Sequence, residues 1–240
     1  MMKNSVESET KSKSFGIKSV EVGQRILSKN DKVAMELRAI FKQENIFVIN
    51  LMSSPGSGKT TLLENIARHN LLDFSVVEGD LQTNRDAERL GKFGVNAYQI
   101  TTGDACHLEA LMVKSALEKL REQEKLKDFM FIENVGNLVC PASYDLGANM
   151  NIVLLSTPEG DDKVLKYPTM FLCADVVAIS KVDLVNVFDF KIERVQEDLA
   201  KLKKEIPLFL VSSKDTESLQ EFCAFLQEKK EQNYVSSHTF

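Results

Sequence analysis

The residues with the clearest chemical potential run from Ser53 to Thr61, Ser-Ser-Pro-Gly-Ser-Gly-Lys-Thr-Thr. The phosphate-loop pattern is Gly-x-x-x-x-Gly-Lys-Ser/Thr. Ser53 stands where its first glycine belongs, while Gly58, Lys59 and Thr60 complete it and Gly56 adds a glycine. Pro55, Gly56, Ser57 and Gly58 form a turn whose N–H groups can face phosphate oxygens. Lys59 is placed to reach terminal phosphates, and the Thr60 hydroxyl, with Thr61 beside it, to ligate Mg²⁺. A helix opening near Lys59 presents its positive end to the same anion. A plain Gly/Ser-rich turn is the bland alternative. It is disfavoured because an apolar run, the glycines, Lys-Thr and a helical pattern arrive together.

A phosphate loop does not choose a base. Ser180-Lys181-Val182-Asp183 follows an apolar run at the position of the guanine-reading Asn-Lys-x-Asp. There the aspartate accepts from guanine N1–H and the N2 amine, and the lysine stem covers the base. Adenine offers neither donor, so a carboxylate there opposes it. Ser180 replaces the Asn and puts one contact in question. Ser212, Ser213 and Lys214 follow the last apolar run and resemble the Ser-Ala-Lys loop that closes over guanine. A capped turn explains Ser-Lys-Val-Asp alone, but two such loops in this order favour GTP and GDP.

Glu133 and Gly136 match an Asp-x-x-Gly element with Glu for Asp. The acid would hold magnesium and the glycine N–H would sense a γ-phosphate. Asp80 is a second magnesium candidate, with helix capping as its alternative. Lys59, Asp80, Glu133 and Gly136 form the candidate catalytic set, and Thr60, Asp80 and Glu133 the candidate magnesium ligands. No arginine stands out as a charge-stabilising finger.

Cys106 and His107 are placed at the start of a helix ending near Arg121, and Cys140 lies in Asn137-Leu-Val-Cys-Pro141. A helix N-terminus lowers a thiol pKa. Two thiolates and an imidazole suit Ni²⁺ or Zn²⁺, with a fourth position open or filled across a dimer. Buried free cysteine is the alternative. Cys173 and Cys223 sit in apolar helical context and read as core.

These groups need a scaffold that brings strand ends together. Ile46–Met52, Phe74–Val77, Val95–Ile100, Phe129–Glu133, Ile152–Ser156, Val176–Ser180 and Leu208–Ser212 are short apolar runs between amphipathic stretches. Continuous apolar strands separated by helices predict an α/β fold, a mostly parallel sheet buried on both faces. Ligands then bind beyond the C-terminal strand ends, where every motif falls. Residues 1–15 read as disordered, and Ile17–Gln43 as a helical arm with Ser28–Asp31 as a candidate break. Residues 46–240 read as one domain, with 1–45 a tail and arm. The 240 residues carry 43% hydrophobic side chains and a net charge of −5, which leaves no basic excess for nucleic acid. No run is long enough for a membrane helix and no apolar signal core opens the chain, so a cytoplasmic protein is expected.

Together these residues resemble the HypB family of hydrogenase-maturation GTPases. The resemblance runs from about Ile46 to the C-terminus and rests on SSPGSGKTT, VVEGDLQT, TTGDACHLEA, ENVGNLVCP and PEGDDKVLKYP. It implies a P-loop NTPase three-layer fold of the SIMIBI class, related to signal-recognition GTPases and MinD-like ATPases. It further implies slow GTP hydrolysis, a homodimer assembling with GTP or metal, and nickel insertion into [NiFe] hydrogenase. Its partners would be a nickel-accessory protein and the hydrogenase large subunit. The resemblance maps Ni²⁺ or Zn²⁺ binding onto Cys106, His107 and Cys140. Residues 1–45 contain neither Cys nor His, unlike members with an N-terminal Cys-rich or His-rich metal motif. The competing readings are a nickel GTPase serving urease maturation, a P-loop small-molecule kinase, and a metal-binding interaction protein with a vestigial GTPase. Cys-His without a spacer, followed by a Cys after Glu-Asn-Val-Gly, fits the hydrogenase side best.

Overall fold

The computed structural model describes residues 24, 26–80, 85–103 and 105–235, and the statements below concern those residues. The leading stretch read as disordered, and Thr83, Asp104 and the last five residues, lie outside them.

Seven strands form one sheet in the order β3-β2-β4-β1-β5-β6-β7. They are β1 Phe47–Ser53, β2 Phe74–Asp80, β3 Asn96–Thr101, β4 Phe129–Glu133, β5 Met150–Ser156, β6 Val176–Ser180 and β7 Leu208–Val211. Every pairing is parallel, so all C-terminal ends share one edge. The helices are α1 (26–43), α2 Lys59–Arg68, α3 Arg85–Gly91, α4 Ala110–Glu122, α5 Lys163–Lys166, α6 Pro168–Leu172, α7 Ile192–Leu202 and α8 Thr216–Val235.

Side-chain alternation along β1 builds three layers. Phe47, Ile49 and Leu51 join Leu62, Leu63 and Ile66 of α2 and Leu219, Phe222 and Cys223 of α8 in one core. Val48 faces the opposite side, with Ala34, Leu37 and Phe41 of α1 and Val113, Leu117 and Leu120 of α4. Met52 belongs to a third cluster with Phe171 of α6 and Val195 and Leu199 of α7. Each fully buried Leu or Phe here contributes about 1.5–3 kcal/mol. Cys223 is core, as expected, and Cys173 packs on the third cluster.

Two expectations are corrected. The helical arm is not broken at Ser28–Asp31; α1 runs straight through it. Asn30 does not cap a helix of its own there, because its side chain is used by distant segments. Cys106 and His107 do not open a helix either. α4 begins at Ala110, behind an extended Glu109, so the pair sits in a turn outside the first helical residues.

Candidate functional site

The phosphate loop joins β1 to α2. Gly58 adopts φ +98°, a left-handed conformation that glycine takes without strain, and α2 starts at the next residue. A cavity of about 360 Å³ opens in front of it. Its walls include Pro55, Gly56, Gly58, Lys59, Thr60, Thr61, Asp80, Glu133 and Gly136, which unites the predicted phosphate, magnesium and catalytic residues.

Lys59 Nζ donates to Ser53 Oγ at 3.1 Å. Burial holds its ammonium below the ordinary lysine range, opposed by Glu133, Asp86, Glu159 and Glu78. The residue at the missing first glycine therefore anchors Lys59. Thr60 Oγ1 donates to Glu133 Oε1 at 2.7 Å. Glu133 Oε2 is buried without a hydrogen-bond partner, and burial pushes the carboxyl upward. An orphaned carboxylate oxygen on an acid bonded to a threonine hydroxyl, in a cavity that Asp80 also lines, fits a divalent cation. Gly136 presses on the loop from the other side, where an added Cβ would stand 2.8 Å from Pro55 Cα.

Several pocket residues escaped the sequence reading. Glu78 lies beside Glu133 across the β2–β4 register. Its Oε2 is also unpartnered, and its pKa is raised to about 8 by burial, reinforced by Glu133, Asp86 and Asp80. Asp86 and Arg89 of α3 reach the same cavity, with Arg89 held by Glu64 on α2 through Nε (2.9 Å) and Nη2 (2.7 Å). The signal available was the Glu-Gly-Asp at the end of the second apolar run; its pairing with Glu133 required the strand order.

A second, smaller cavity of about 90 Å³ lies beyond the loop, lined by Ser57, Gly58, Thr61, Lys181, Ser212 and Ser213 among others. Lys181 adopts φ 57° and its Nζ donates to the Gly56 carbonyl at 2.7 Å. Ser180 Oγ donates to the Ser57 carbonyl at 2.7 Å. The serine in place of Asn is thus a bridge to the phosphate loop. Asp183 and Lys214 are not among the described residues lining this cavity. The Asp183 carboxylate accepts from Lys214 Nζ (2.6 Å) and Ser212 Oγ (2.8 Å), and the Lys214 hydrogen bond holds it below its usual range. A guanine edge would exchange with these two partners.

The third locus is the thiol–imidazole group. Cys106, His107 and Cys140 bring their donor atoms within 4.8 Å of one another. Cys106 Sγ and Cys140 Sγ are hydrogen-bonded at 2.8 Å, which pushes the Cys140 thiol up. His107 Nδ1 lies 3.7 Å from Cys106 Sγ. Its ring stacks on Tyr144 with centroids 3.7 Å apart. Nε2 has no hydrogen-bond partner, with a Glu109 oxygen 4.0 Å away, and burial holds the imidazole toward its neutral form. Two hydrogen-bonded thiols beside a neutral imidazole are a donor set for a borderline divalent ion.

Two asparagines tie this locus to the phosphate cavity. Asn137 N–H donates to the Ser53 carbonyl at 2.8 Å, while its Oδ1 accepts from the N–H of Val139 (2.7 Å) and Cys140 (3.1 Å). Asn134, in the cavity wall, accepts from Leu108 N–H at 3.4 Å and donates to Asn50 Oδ1 at 3.1 Å. Leu108 packs against Gly79, where an added Cβ would lie 2.8 Å from its Cγ.

The fold and loop define a P-loop nucleotide-binding domain with an attached donor cluster. The family model described as CobW/HypB/UreG, nucleotide-binding domain, matches residues 47–209. The Helicobacter pylori (strain ATCC 700392 / 26695) hydrogenase/urease maturation factor HypB is 61% identical over 225 residues, 93% of each chain. The Escherichia coli (strain K12) hydrogenase maturation factor HypB is 41% identical over 213 residues, 88% of this chain and 73% of that one. The crystal structure of HypB from Helicobacter pylori in complex with nickel superposes with a TM-score of 0.84 at 62% identity, covering 88% of this chain and all of that one. HypB from Archaeoglobus fulgidus gives a TM-score of 0.76 at 33% identity over 85% of this chain. The chain belongs to the HypB family.

Proposed function

We propose that this chain is a GTP-hydrolysing nickel metallochaperone for [NiFe] hydrogenase maturation, in which nucleotide state sets metal affinity. One observation carries the reading. The segment from Glu133 to Cys140 bears the acid bonded to Thr60 at one end and the thiol bonded to Cys106 at the other. A change at the γ-phosphate is therefore transmitted over a short, hydrogen-bonded stretch to a metal ligand. The nickel named with the similar Helicobacter pylori structure supports the cargo.

In this reading Lys59, the loop N–H groups and α2 bind the β- and γ-phosphates. Thr60, Glu133 and Asp80 would hold Mg²⁺, which neutralises charge between the phosphates. Glu78 and Glu133 line the water side of the cavity, and Gly136 N–H reports the γ-phosphate. Ser180 and Lys181 hold the base cavity against the loop, and Asp183 selects guanine. Cys106, His107 and Cys140 take Ni²⁺, or Zn²⁺, and two copies of the chain complete the coordination. Leu111 and Val139, 63% and 60% exposed beside the donors, support a homodimer contact there. The chain would act in the cytoplasm, with a nickel-accessory protein and the hydrogenase large subunit as partners.

The test titrates Ni²⁺ into wild type and Cys106→Ala, each with GDP and with a GTP analogue, while dimerisation is followed. Wild type should show different nickel affinities in the two nucleotide states, and Cys106→Ala should lose tight binding. Equal affinities in both states would overturn the coupling. A second reading, service to urease maturation, is favoured by the Helicobacter pylori relative's description as a hydrogenase/urease maturation factor. Loss of urease as well as hydrogenase activity on deletion of the gene in its host would establish it.

A further inference from the structure

The two segments that carry the thiols and the imidazole are joined by a residue of α1. Asn30 is 6% exposed. Its Oδ1 accepts from Ala110 N–H at 2.8 Å, and its Nδ2 donates to the Asp145 carbonyl at 2.8 Å. Ala110 opens α4 just after Cys106–Glu109, and Asp145 follows the Cys140–Ser143 turn and Tyr144. The first N–H groups of a helix need a partner from outside it. Glu109, at the cap of α4, makes no side-chain cap bond, and Asn30 supplies one from another helix.

The rest of α1 reinforces the bridge. Arg38 Nη2 donates to both Asp145 carboxylate oxygens at 2.6 and 2.7 Å, and Asp145 Oδ1 accepts from Gly147 N–H at 2.9 Å. Gly147, at φ +76°, leaves no room for a side chain. A Cβ there would be 2.7 Å from the Ala34 carbonyl oxygen and 2.8 Å from Leu37 Cβ. Thus α1 sits directly on the segment behind Cys140.

We propose that Asn30 is a positioning residue for the metal site: through Ala110 and Asp145 it sets the spacing between Cys106–His107 and Cys140. The inference rests on the reading of those three residues as a Ni²⁺ site. Groups that orient ligands from behind typically change metal affinity 10–100-fold when removed. An asparagine that only secured α1 would lower stability and leave nickel binding unchanged.

The experiment uses the full chain. Asn30→Ala and Asn30→Asp are compared with Phe41→Leu, a change in the same α1–α4 core that does not touch the bridge. Ni²⁺ affinity and the thiolate-to-nickel charge-transfer absorption are measured beside GTP turnover and Tm. Asn30→Ala should weaken Ni²⁺ binding by about tenfold or more and shift the absorption band, with GTP turnover unchanged. Asn30→Asp, which keeps the acceptor for Ala110 but loses the donor to Asp145, should fall between. Phe41→Leu should lower Tm and bind Ni²⁺ as wild type does. Wild-type nickel binding in both Asn30 variants would overturn the proposal, as would an equal nickel loss in Phe41→Leu at matched Tm. A Cys106→Ala variant with undiminished nickel binding would overturn the metal-site reading itself, a result separate from either.

Discussion

The N–H of Asn137 donates to the carbonyl of Ser53, 2.8 Å away, so the segment that presents Cys140 hangs from the first residue of the phosphate loop. The same asparagine's side chain accepts from Val139 and Cys140 N–H and fixes the turn that aims the thiol. Asn137→Ala keeps the backbone bond and removes the two side-chain ones. Hydrogen bonds of this kind are worth about 0.5–1.5 kcal/mol each. Ni²⁺ affinity should fall roughly five- to tenfold by calorimetric titration, with GTP turnover nearly unchanged. Wild-type affinity would show that the turn is held by other means.

Lys59→Ala should reduce GTP hydrolysis by about a hundredfold or more, the scale seen when a preorganised transition-state donor is removed. Phosphate-release assays read it directly. The companion variant, Asp183→Asn, should shift preference from guanine toward xanthine nucleotides. An unchanged GTP-to-XTP ratio would leave Asp183 only its bonds to Ser212 and Lys214.

Ser180→Ala removes the bond to the Ser57 carbonyl. That carbonyl is left inside the fold without its partner, at a cost of about 1–3 kcal/mol. GDP affinity should drop about fivefold or more, measured by fluorescent-nucleotide displacement. Ser180→Asn, with a longer donor, should retain part of it.

Glu78 gives a pH prediction. Its carboxyl has a pKa of about 8 in the fold against an ordinary 4.5. Between those values the unfolded chain has ionised and the folded one still holds its proton, so this group's contribution is full below about 4.5 and lost as pH rises through 8. The Tm of nucleotide-free protein should therefore fall from pH 5 to pH 8 more steeply in wild type than in Glu78→Gln. Parallel Tm curves for the two would remove Glu78 as the source. Glu133 is shifted the same way by burial, so the variant keeps some slope.

Much of this was readable from the chain because it is local. The phosphate loop, the strand-end placement of Asp80 and Glu133, and the grouping of Cys106, His107 and Cys140 follow from short motifs on parallel strands. What could not be read is what depends on register and approach. Glu78 looks like an ordinary strand acid until β2 is set beside β4 and Glu133 becomes its neighbour. Ser180 reads as a defect in a base motif until its hydroxyl is seen on Ser57. Ser28–Asp31 reads as a candidate break because serine, asparagine and aspartate compete with helical backbone bonding; in the fold the Asn30 amide is satisfied by Ala110 and Asp145, and the helix continues. The start of α4 at Ala110 carries no sequence mark, because Cys-His-Leu-Glu lacks the capping residues that signal a boundary.

The strand order has a consequence for how the protein is made. β1, in the middle of the sheet, pairs with β4 and β5, so the phosphate loop has no finished support until Ser156 has left the ribosome. A nascent chain ending there already holds Ser53–Thr61, both thiol-bearing turns and α1. It lacks β6, β7 and the loops carrying Lys181, Asp183 and Ser212. Chains grow at about 5–20 residues per second, and a domain generally folds as a unit. The residues of the donor cluster are therefore all synthesised before Lys181, Asp183 and Ser212, yet the β1 core that supports them closes only when α8 delivers Leu219, Phe222 and Cys223.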